Sequence, residues 1–123
     1  MNIITQNDID NWETCKNGRK IFPEHSEFGK NCQFGFGCEF GDGCDFGNDC
    51  KFDCWCEFGN DCKFDDECDF GNDCKFGENC KFGDNCQFGR SCEFPAYYKG
   101  GRLVNTCMFG NHCAFMQEVE VRE

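Results

Sequence analysis

The chain has 123 residues, which suits one small domain, and a formal net charge of −11 at pH 7. It contains sixteen Phe and fifteen Cys, whereas Leu, Val and Ile are absent between residues 22 and 102. No run of eighteen apolar residues and no basic segment followed by an apolar run occurs, which argues against a membrane-spanning helix and a secretory signal. We therefore expect a soluble cytoplasmic protein with a core of Phe and Cys.

Residues 1–21 precede a repetitive region and do not share its pattern. A rod of stacked coils exposes unpaired backbone edges at both ends, and such edges need covers. We predict that 1–21 forms an N-terminal cap with a short helix near residues 8–14.

A six-residue repeat, F-G-x-x-C-x, runs without a gap from Phe28 to Glu93. Residues 22–27 fit it with Ser in the Cys position, and residues 103–114 resume it as LVNTCM and FGNHCA. In extended chain, Cys and the Phe two residues later point to one side, and the residue between them points to the other. The next three positions, rich in Gly, Asn and Asp, predict a turn. Strand and corner should therefore alternate every six residues.

This motif is similar to the hexapeptide repeat of left-handed parallel β-helices, [LIV]-G-x-x-[STAV]-x, with Phe in the large position and Cys in the small one. The resemblance covers residues 22–115. It implies an all-β, left-handed parallel β-helix of about five triangular coils, each built from three repeats. The handedness comes from the resemblance alone, since a left-handed crossover runs against the general rule for parallel strands.

Counting in steps of eighteen residues predicts three columns of stacked large side chains, in which Leu103 and Phe109 take the last places of two columns. The three-residue excess of the last coil lies within 95–102, which we interpret as a loop insertion at one corner. Residues 116–123 alternate apolar and charged side chains. This alternation predicts a C-terminal strand that caps the last coil or pairs with a second molecule.

The cysteines are odd in number and regular in spacing, unlike a disulfide framework, so we interpret them as buried, reduced thiols. A structural zinc site needs four ligands that converge tetrahedrally. A straight column of thiols spaced about 4.8 Å apart does not offer that geometry. We predict no metal and no cofactor.

Many proteins of the resembled superfamily are acyltransferases or carbonic anhydrases, which depend on histidines. This chain has two, His25 in the first coil and His112 in the last, roughly 20 Å apart along the axis. It also lacks a serine nucleophile motif and a phosphate-binding G-x-x-x-x-G-K. We predict that it is not an enzyme.

Charge is the more informative surface property. Residues 22–93 carry seventeen acidic and six basic side chains, spread over all three sides of the predicted rod. The net density is about one negative charge per 1.7 Å of axis, close to that of duplex DNA. The simpler interpretation is that the acids keep a repeat rod soluble. Four acids in the unit FDDECD repel one another and mark the predicted electronegative patch: Asp65, Asp66, Glu67 and Asp69.

Two repeats also place aromatic side chains at outward turn positions, Phe36 in FGFGCE and Trp55 in FDCWCE, and these repeats are vertical neighbours. Exposed aromatics beside acids are typical of protein-binding hot spots. The alternative is that they fold back over a corner or under the N-terminal cap. Tyr97 and Tyr98 of the insertion form a second aromatic candidate.

These features favour a non-catalytic, acidic protein-binding module that mimics nucleic acid and inhibits a nucleic-acid-binding partner, as anti-restriction and anti-CRISPR proteins of phages do. The analogy is one of shape and charge. A partner would then be a protein, with neither nucleic acid nor membrane bound directly, in the host cytoplasm if the chain is phage-encoded. The alternative is a structural or self-assembling scaffold whose acids serve only solubility.

Overall fold

The computed structural model describes residues 3–15, 18–99, 102–105, 107–115 and 120–122. It contains one short helix, α1 (Gln6–Asp10), and no described helix is long and apolar enough to cross a bilayer. The strands in chain order are β1 Ile21–Phe22, β2 Glu27–Phe28, β3 Gln33–Phe34, β4 Glu39–Phe40, β5 Asp45–Phe46, β6 Lys51–Phe52, β7 Glu57–Phe58, β8 Lys63–Phe64, β9 Asp69–Phe70, β10 Lys81–Phe82, β11 Gln87–Phe88, β12 Glu93–Lys99, β13 Arg102–Asn105, β14 Met108–Phe109, β15 Ala114–Phe115 and β16 Glu120–Arg122.

The repeat strands form three parallel faces, each with every strand paired to the one a coil away. The first face has the order β1-β4-β7 and continues through bridges of Lys75 to Glu57 and Glu93. The second has the order β2-β5-β8-β10-β14 and the third β3-β6-β9-β11-β15. The first four levels keep an eighteen-residue register, as in Phe22 opposite Phe40. The prediction of an all-β parallel β-helix is therefore confirmed, with about four turns.

The core is a continuous lattice of Phe rings. Phe58 stacks on Phe40 and Phe76 at 4.9 Å between ring centroids, with ring planes 3° apart. The same ring meets Phe52 and Phe64 edge to face at 5.0 and 5.1 Å. Each such pair contributes about 0.5–1.5 kcal/mol beyond the burial of apolar area.

The cysteines occupy the small inward position and also carry a repeated hydrogen bond. Eleven thiols donate to the backbone carbonyl at the start of a turn in the coil below, at 3.3–3.5 Å, as Cys62 Sγ does to the Gly41 carbonyl. Ser26, which takes the Cys position in the first coil, donates instead to the Pro23 carbonyl of its own turn at 2.7 Å. The small inward residue thus fills space and gives a weak donor to a carbonyl at the edge of the core.

The corners repeat with the same regularity. In six of the described turns an Asn or Asp side chain accepts a backbone N–H of the coil above, as Asn60 Oδ1 does from Glu78 at 2.8 Å. The next residue adopts a left-handed backbone with φ near 60°, which Asn and Asp tolerate better than other non-glycine residues. The turn chemistry predicted from the repeat is therefore the chemistry that links one coil to the next.

The last coil corrects the predicted register. Phe82 lies opposite Phe109, and Phe88 lies opposite Phe115, so Leu103 does not continue a Phe column and Phe109 belongs to a different column from the one predicted. The insertion is therefore nine residues rather than three. It forms an antiparallel hairpin in which β12 pairs with β13, with Ala96 opposite Asn105. The residues interpreted as a loop are mostly strand.

The two terminal segments add to the coil. Helix α1 begins after Thr5, whose side chain and Asp8 form a capping box, and so lies earlier than the predicted 8–14. Beneath the first coil Ile9 is buried, and the Trp12 ring lies 4.7 Å from the Phe22 ring. At the other terminus β16 pairs parallel to β12 with Val121 opposite Phe94, which adds a further level to the first face.

Close stacking makes a sharp prediction for two glycines at the same repeat position. A Cβ on Gly71 would lie 2.7 Å from the Cys54 backbone nitrogen, whereas a Cβ on Gly35 would meet nothing within 4 Å. Gly71→Ala should therefore lower the free energy of unfolding by about 1–3 kcal/mol. Gly35→Ala should leave it unchanged or raise it by up to about 1 kcal/mol. Urea unfolding of both variants measures the difference, and equal effects would contradict the stacking geometry.

Candidate protein-binding surface

One corner of the helix concentrates acidic side chains. The turns after β5, β8 and β10 stack on one another: the Asp66 N–H donates to Asn48 Oδ1 at 3.0 Å, and the Asp84 N–H donates to Asp66 Oδ1 at 2.8 Å. We call the acids of these turns the acidic corner: Asp49, Asp65, Asp66, Glu67 and Asp84. Three of the four acids predicted from FDDECD belong to it, and the fourth, Asp69, follows on β9.

Carboxylates on this corner repel each other. A hydrogen bond to the Asp49 carboxyl raises the pKa of Glu67, and repulsion by Asp49, Asp66 and Asp69 acts in the same direction. Asp49 lies one coil from Glu67 and was not among the predicted site residues. Its position eighteen residues before Glu67 is the signal that could have identified it.

One acid of FDDECD, Asp66, also stabilises the stacking of the turns. Its Oδ1 accepts the Asp84 N–H, in the manner of the Asn side chains of other turns. Asp65 and Glu67 are exposed, and Asp69 is half-buried. The predicted patch therefore combines one structural carboxylate with others that project from the rod.

The described ion pairs lie on another part of the rod. Among the described residues, the ion pairs join Arg19 to Glu39 at 3.4 Å, Arg19 to Glu57 at 3.0 Å and Lys75 to Glu93 at 3.8 Å. All three lie on the face built from β1, β4 and β7 and its continuation. Glu57, Lys75 and Glu93 lie in register in successive coils and form a ladder of alternating charge. No described ion pair reaches the acidic corner, whose negative charge is therefore not neutralised in this way.

A second corner carries the aromatic residues. Phe36 is 60% exposed and Trp55 is 48% exposed, one coil apart, so neither folds under the N-terminal cap. Between them in sequence, Cys54 occupies a place usually taken by Asn or Asp, and its Sγ accepts the Asn72 N–H at 3.3 Å. We call Phe36, Cys54 and Trp55 the aromatic corner.

Trp55 is unusual in its backbone. Its φ of 67° is left-handed, a conformation that costs a bulky residue energy and that corresponding turns give mostly to Asn, Asp or Gly. A groove of about 480 Å³ lies beside Phe36, lined also by Ile9, Arg19 and Lys20. An indole held outward at an energetic cost, one coil from a Phe that borders an open groove, fits a contact surface.

Tyr97 and Tyr98, the other predicted aromatic candidates, lie in strand β12. Their backbones are opposite Val104 and Leu103 of β13. Their side chains lie outside the described residues. The prediction that they contact a partner therefore stays a prediction.

The histidines and cysteines are the conventional candidates for catalytic or metal-binding residues. His25 and His112 are exposed turn residues with φ of 60° and 61°. In the described ranges, His, Cys, Asp and Glu form no group of three or more that could hold a metal ion. All fifteen cysteines are free thiols, twelve of them buried. Burial raises the pKa of Cys32 to about 11 and also raises that of Cys113, which disfavours the nucleophilic thiolate.

No family model, curated protein or solved structure matches the chain. Its function is therefore argued from its own fold and surface.

Repulsion among the carboxylates of the acidic corner predicts that the stability of the fold depends on pH. Because its folded-state pKa is raised above 4.5, Glu67 contributes stability that is fully present below that value and is lost as pH rises through the raised value. Glu67→Gln should therefore raise the unfolding temperature slightly at pH 7 and leave it unchanged near pH 3. Glu78→Gln, at an exposed turn on another corner, is the control. Thermal unfolding at both pH values tests this, and a loss of stability at pH 7 would contradict it.

Thiol exposure gives a second prediction. A thiol reagent at pH 8 should modify the three cysteines that are not buried, Cys15, Cys54 and Cys113, before the other twelve. After addition of denaturant under non-oxidising conditions, all fifteen thiols should react with the reagent. Mass spectrometry of the labelled chain identifies the sites. Early labelling of Cys62 or Cys74 would contradict the packed core.

Proposed function

We propose that the protein is a non-catalytic, acidic binding module that presents a nucleic-acid-like array of negative charge to a nucleic-acid-binding protein and thereby inhibits it. The main observation in support is the acidic corner, where exposed carboxylates of successive coils stack without a described basic partner. Repulsion within it is unfavourable for the folded chain on its own. A complementary basic surface would relieve it.

The scale of the array supports this function. Stacked Phe rings in the first four coils repeat every 4.8–5.1 Å, so every outward position recurs at that spacing. A net charge of −11 on residues 22–93 spans roughly 19 Å, which approaches the axial charge density of duplex DNA. A rigid rod holds these charges in place, so little conformational entropy is lost when a partner binds.

The same reasoning addresses family and location. We infer that the chain belongs to the left-handed, hexapeptide-repeat branch of β-helices, supported by the repeat and its three-faced coil. Small acidic β-helical proteins of the pentapeptide-repeat type act as DNA mimics, and inhibitors of restriction and CRISPR systems include acidic mimics. We place the protein in the cytoplasm, where such partners work.

The aromatic corner is the second contact in this proposal. Truncation of a Trp that is desolvated at an interface typically costs about 2 kcal/mol or more of binding free energy. Carboxylates steer a basic partner to the rod, and an exposed indole would hold it there. The two corners are separated around the coil, so their contributions can be tested one at a time.

The experiment compares capture of proteins from cell extract by four immobilised forms. These are the native chain and three variants: a charge variant (Asp65→Asn, Asp66→Asn, Glu67→Gln, Asp69→Asn), a matched charge control (Glu24→Gln, Asp42→Asn, Asp61→Asn, Glu78→Gln) and an aromatic variant (Phe36→Ser, Trp55→Ser). Asp66→Asn and Asp42→Asn keep the oxygen that accepts an N–H in the turns. All forms should therefore fold, which circular dichroism checks.

The native chain should capture nucleic-acid-binding proteins at low salt, lose them at high salt because exposed charge is screened, and release them to added duplex DNA or RNA. The charge variant should bind the captured partner about tenfold more weakly or worse, and the matched control should bind more tightly than it does. The aromatic variant should bind the captured partner roughly thirtyfold more weakly than the native chain does. Capture that resists salt and competitor, or is unchanged in the charge variant, would overturn the mimic proposal; capture of its own copies alone would favour a scaffold.

A further inference from the structure

The two ends of the rod are built differently. At the N-terminal end each of the three faces is covered. Ile4 bridges to Phe28 on β2, and the Trp12 Nε1–H donates to the Ile21 carbonyl on β1 at 3.0 Å. On β3, the Gln6 amide imitates a strand: it accepts the Gln33 N–H at 2.6 Å and donates to the Gln33 carbonyl at 3.1 Å. These contacts prevent another strand from adding at this end.

The opposite end presents three last strands. β14, β15 and β16 each stand at the edge of their sheets. Within the described chain, the His112 N–H and the Cys113 carbonyl have no hydrogen-bond partner, although their counterparts one coil below are bonded: Asn85 donates to the Asn111 carbonyl, and the Cys86 carbonyl accepts from Ala114. Phe109 and Cys113 are half-buried, whereas the Phe and Cys of the coils below are almost fully buried. This end offers both strand edges and apolar area.

Charge distinguishes β14 and β15 from the rest of the rod and from β16, whose sequence includes Glu120 and Arg122. Residues 103–117 contain no Asp, Glu, Lys or Arg, although charged residues make up 28% of the chain. The outward residue of β14 is Met108, 63% exposed, where the coil below has Lys81. On β15 it is Ala114, also exposed, above Gln87. Repulsion between two acidic rods is therefore weakest where β14 and β15 of one copy meet those of the other.

We propose that this end, made of β14, β15 and the turn between them, is a docking surface for a second copy of the chain. Two copies related by a two-fold axis present the same uncharged edge to each other. The axis reverses strand direction, so the strands would pair antiparallel across the junction and bury Phe109 and Met108 of both copies. Because the N-terminal ends are covered, assembly stops at a dimer.

Salt separates this association from binding of a basic partner. Two copies of charge −11 repel each other, and added salt screens that repulsion. The dimer should therefore strengthen as salt rises, whereas a complex between the acidic corner and a basic surface should weaken. The turn of the docking surface stacks on Asp84 of the acidic corner, where the Asn111 N–H donates to Asp84 Oδ1 at 2.8 Å. The two tests nevertheless change different residues and predict opposite effects of salt, so failure of one proposal is distinguishable from failure of the other.

The test is sedimentation equilibrium of the full chain at micromolar concentration in low and high salt. The native chain should have about twice the monomer mass of 14.2 kDa and no larger species. A Lys variant (Met108→Lys, Ala114→Lys) and a Glu variant (Met108→Glu, Ala114→Glu) should each be monomeric, because like charges meet across the two-fold axis. Mixing the two variants should restore the dimer, which a general loss of folding would not allow.

Gln87→Lys adds the same charge one coil below Ala114 and should leave the dimer unchanged. Lys81, directly below Met108, already shows that this strand position accepts lysine. A native chain that is monomeric at every salt concentration would mean that its own residues cover the end, and would overturn the proposal. So would a dimer that survives both charged variants, or an open-ended series of oligomers.

Discussion

The structure depends on the stacking of equivalent side chains of successive coils on one another. Each Phe ring lies about 5 Å above another with nearly parallel planes. Parallel register at this rise brings most inward thiols to a carbonyl of the coil below, and the Asn or Asp side chains of six turns to an N–H above. None of these contacts fixes the residue between Cys and Phe. The interior can therefore stay constant while the exterior varies, which leaves the outer positions free for acids.

The fold could be predicted from the sequence because the repeat follows a pattern set by residues close together in the chain. Six-residue spacing and two-residue alternation separate inward from outward positions before any long-range contact is known. The error at Leu103 arose because LVNTCM satisfies the same rule. The actual register places Phe109 on Phe82 at 5.0 Å, and ring stacking favours Phe over Leu there. Handedness followed from resemblance and had no local signal.

The candidate surface was less predictable because its contacts cross coils. Acids in FDDECD could be found by inspection, but the approach of Glu67 to Asp49 depends on stacking eighteen residues apart. Asp66 resembles its acidic neighbours in sequence, yet it bonds the next turn as Asn does. Exposure of Phe36 and Trp55 was one of two alternatives, and the placement of the N-terminal segment over β1, β2 and β3 decided between them.

A rod of this kind can direct different contacts to different parts of its surface. Its sides share one sign of charge, so two copies repel when they approach side by side, while a basic protein is attracted from a distance. The covered N-terminal end excludes strand addition, and the absence of charged residues in β14 and β15 weakens the repulsion where backbone edges remain. In the two proposals, the sides of the rod contact a foreign basic surface and one end contacts a second copy. Both proposals depend on a core that requires only Phe and Cys in place.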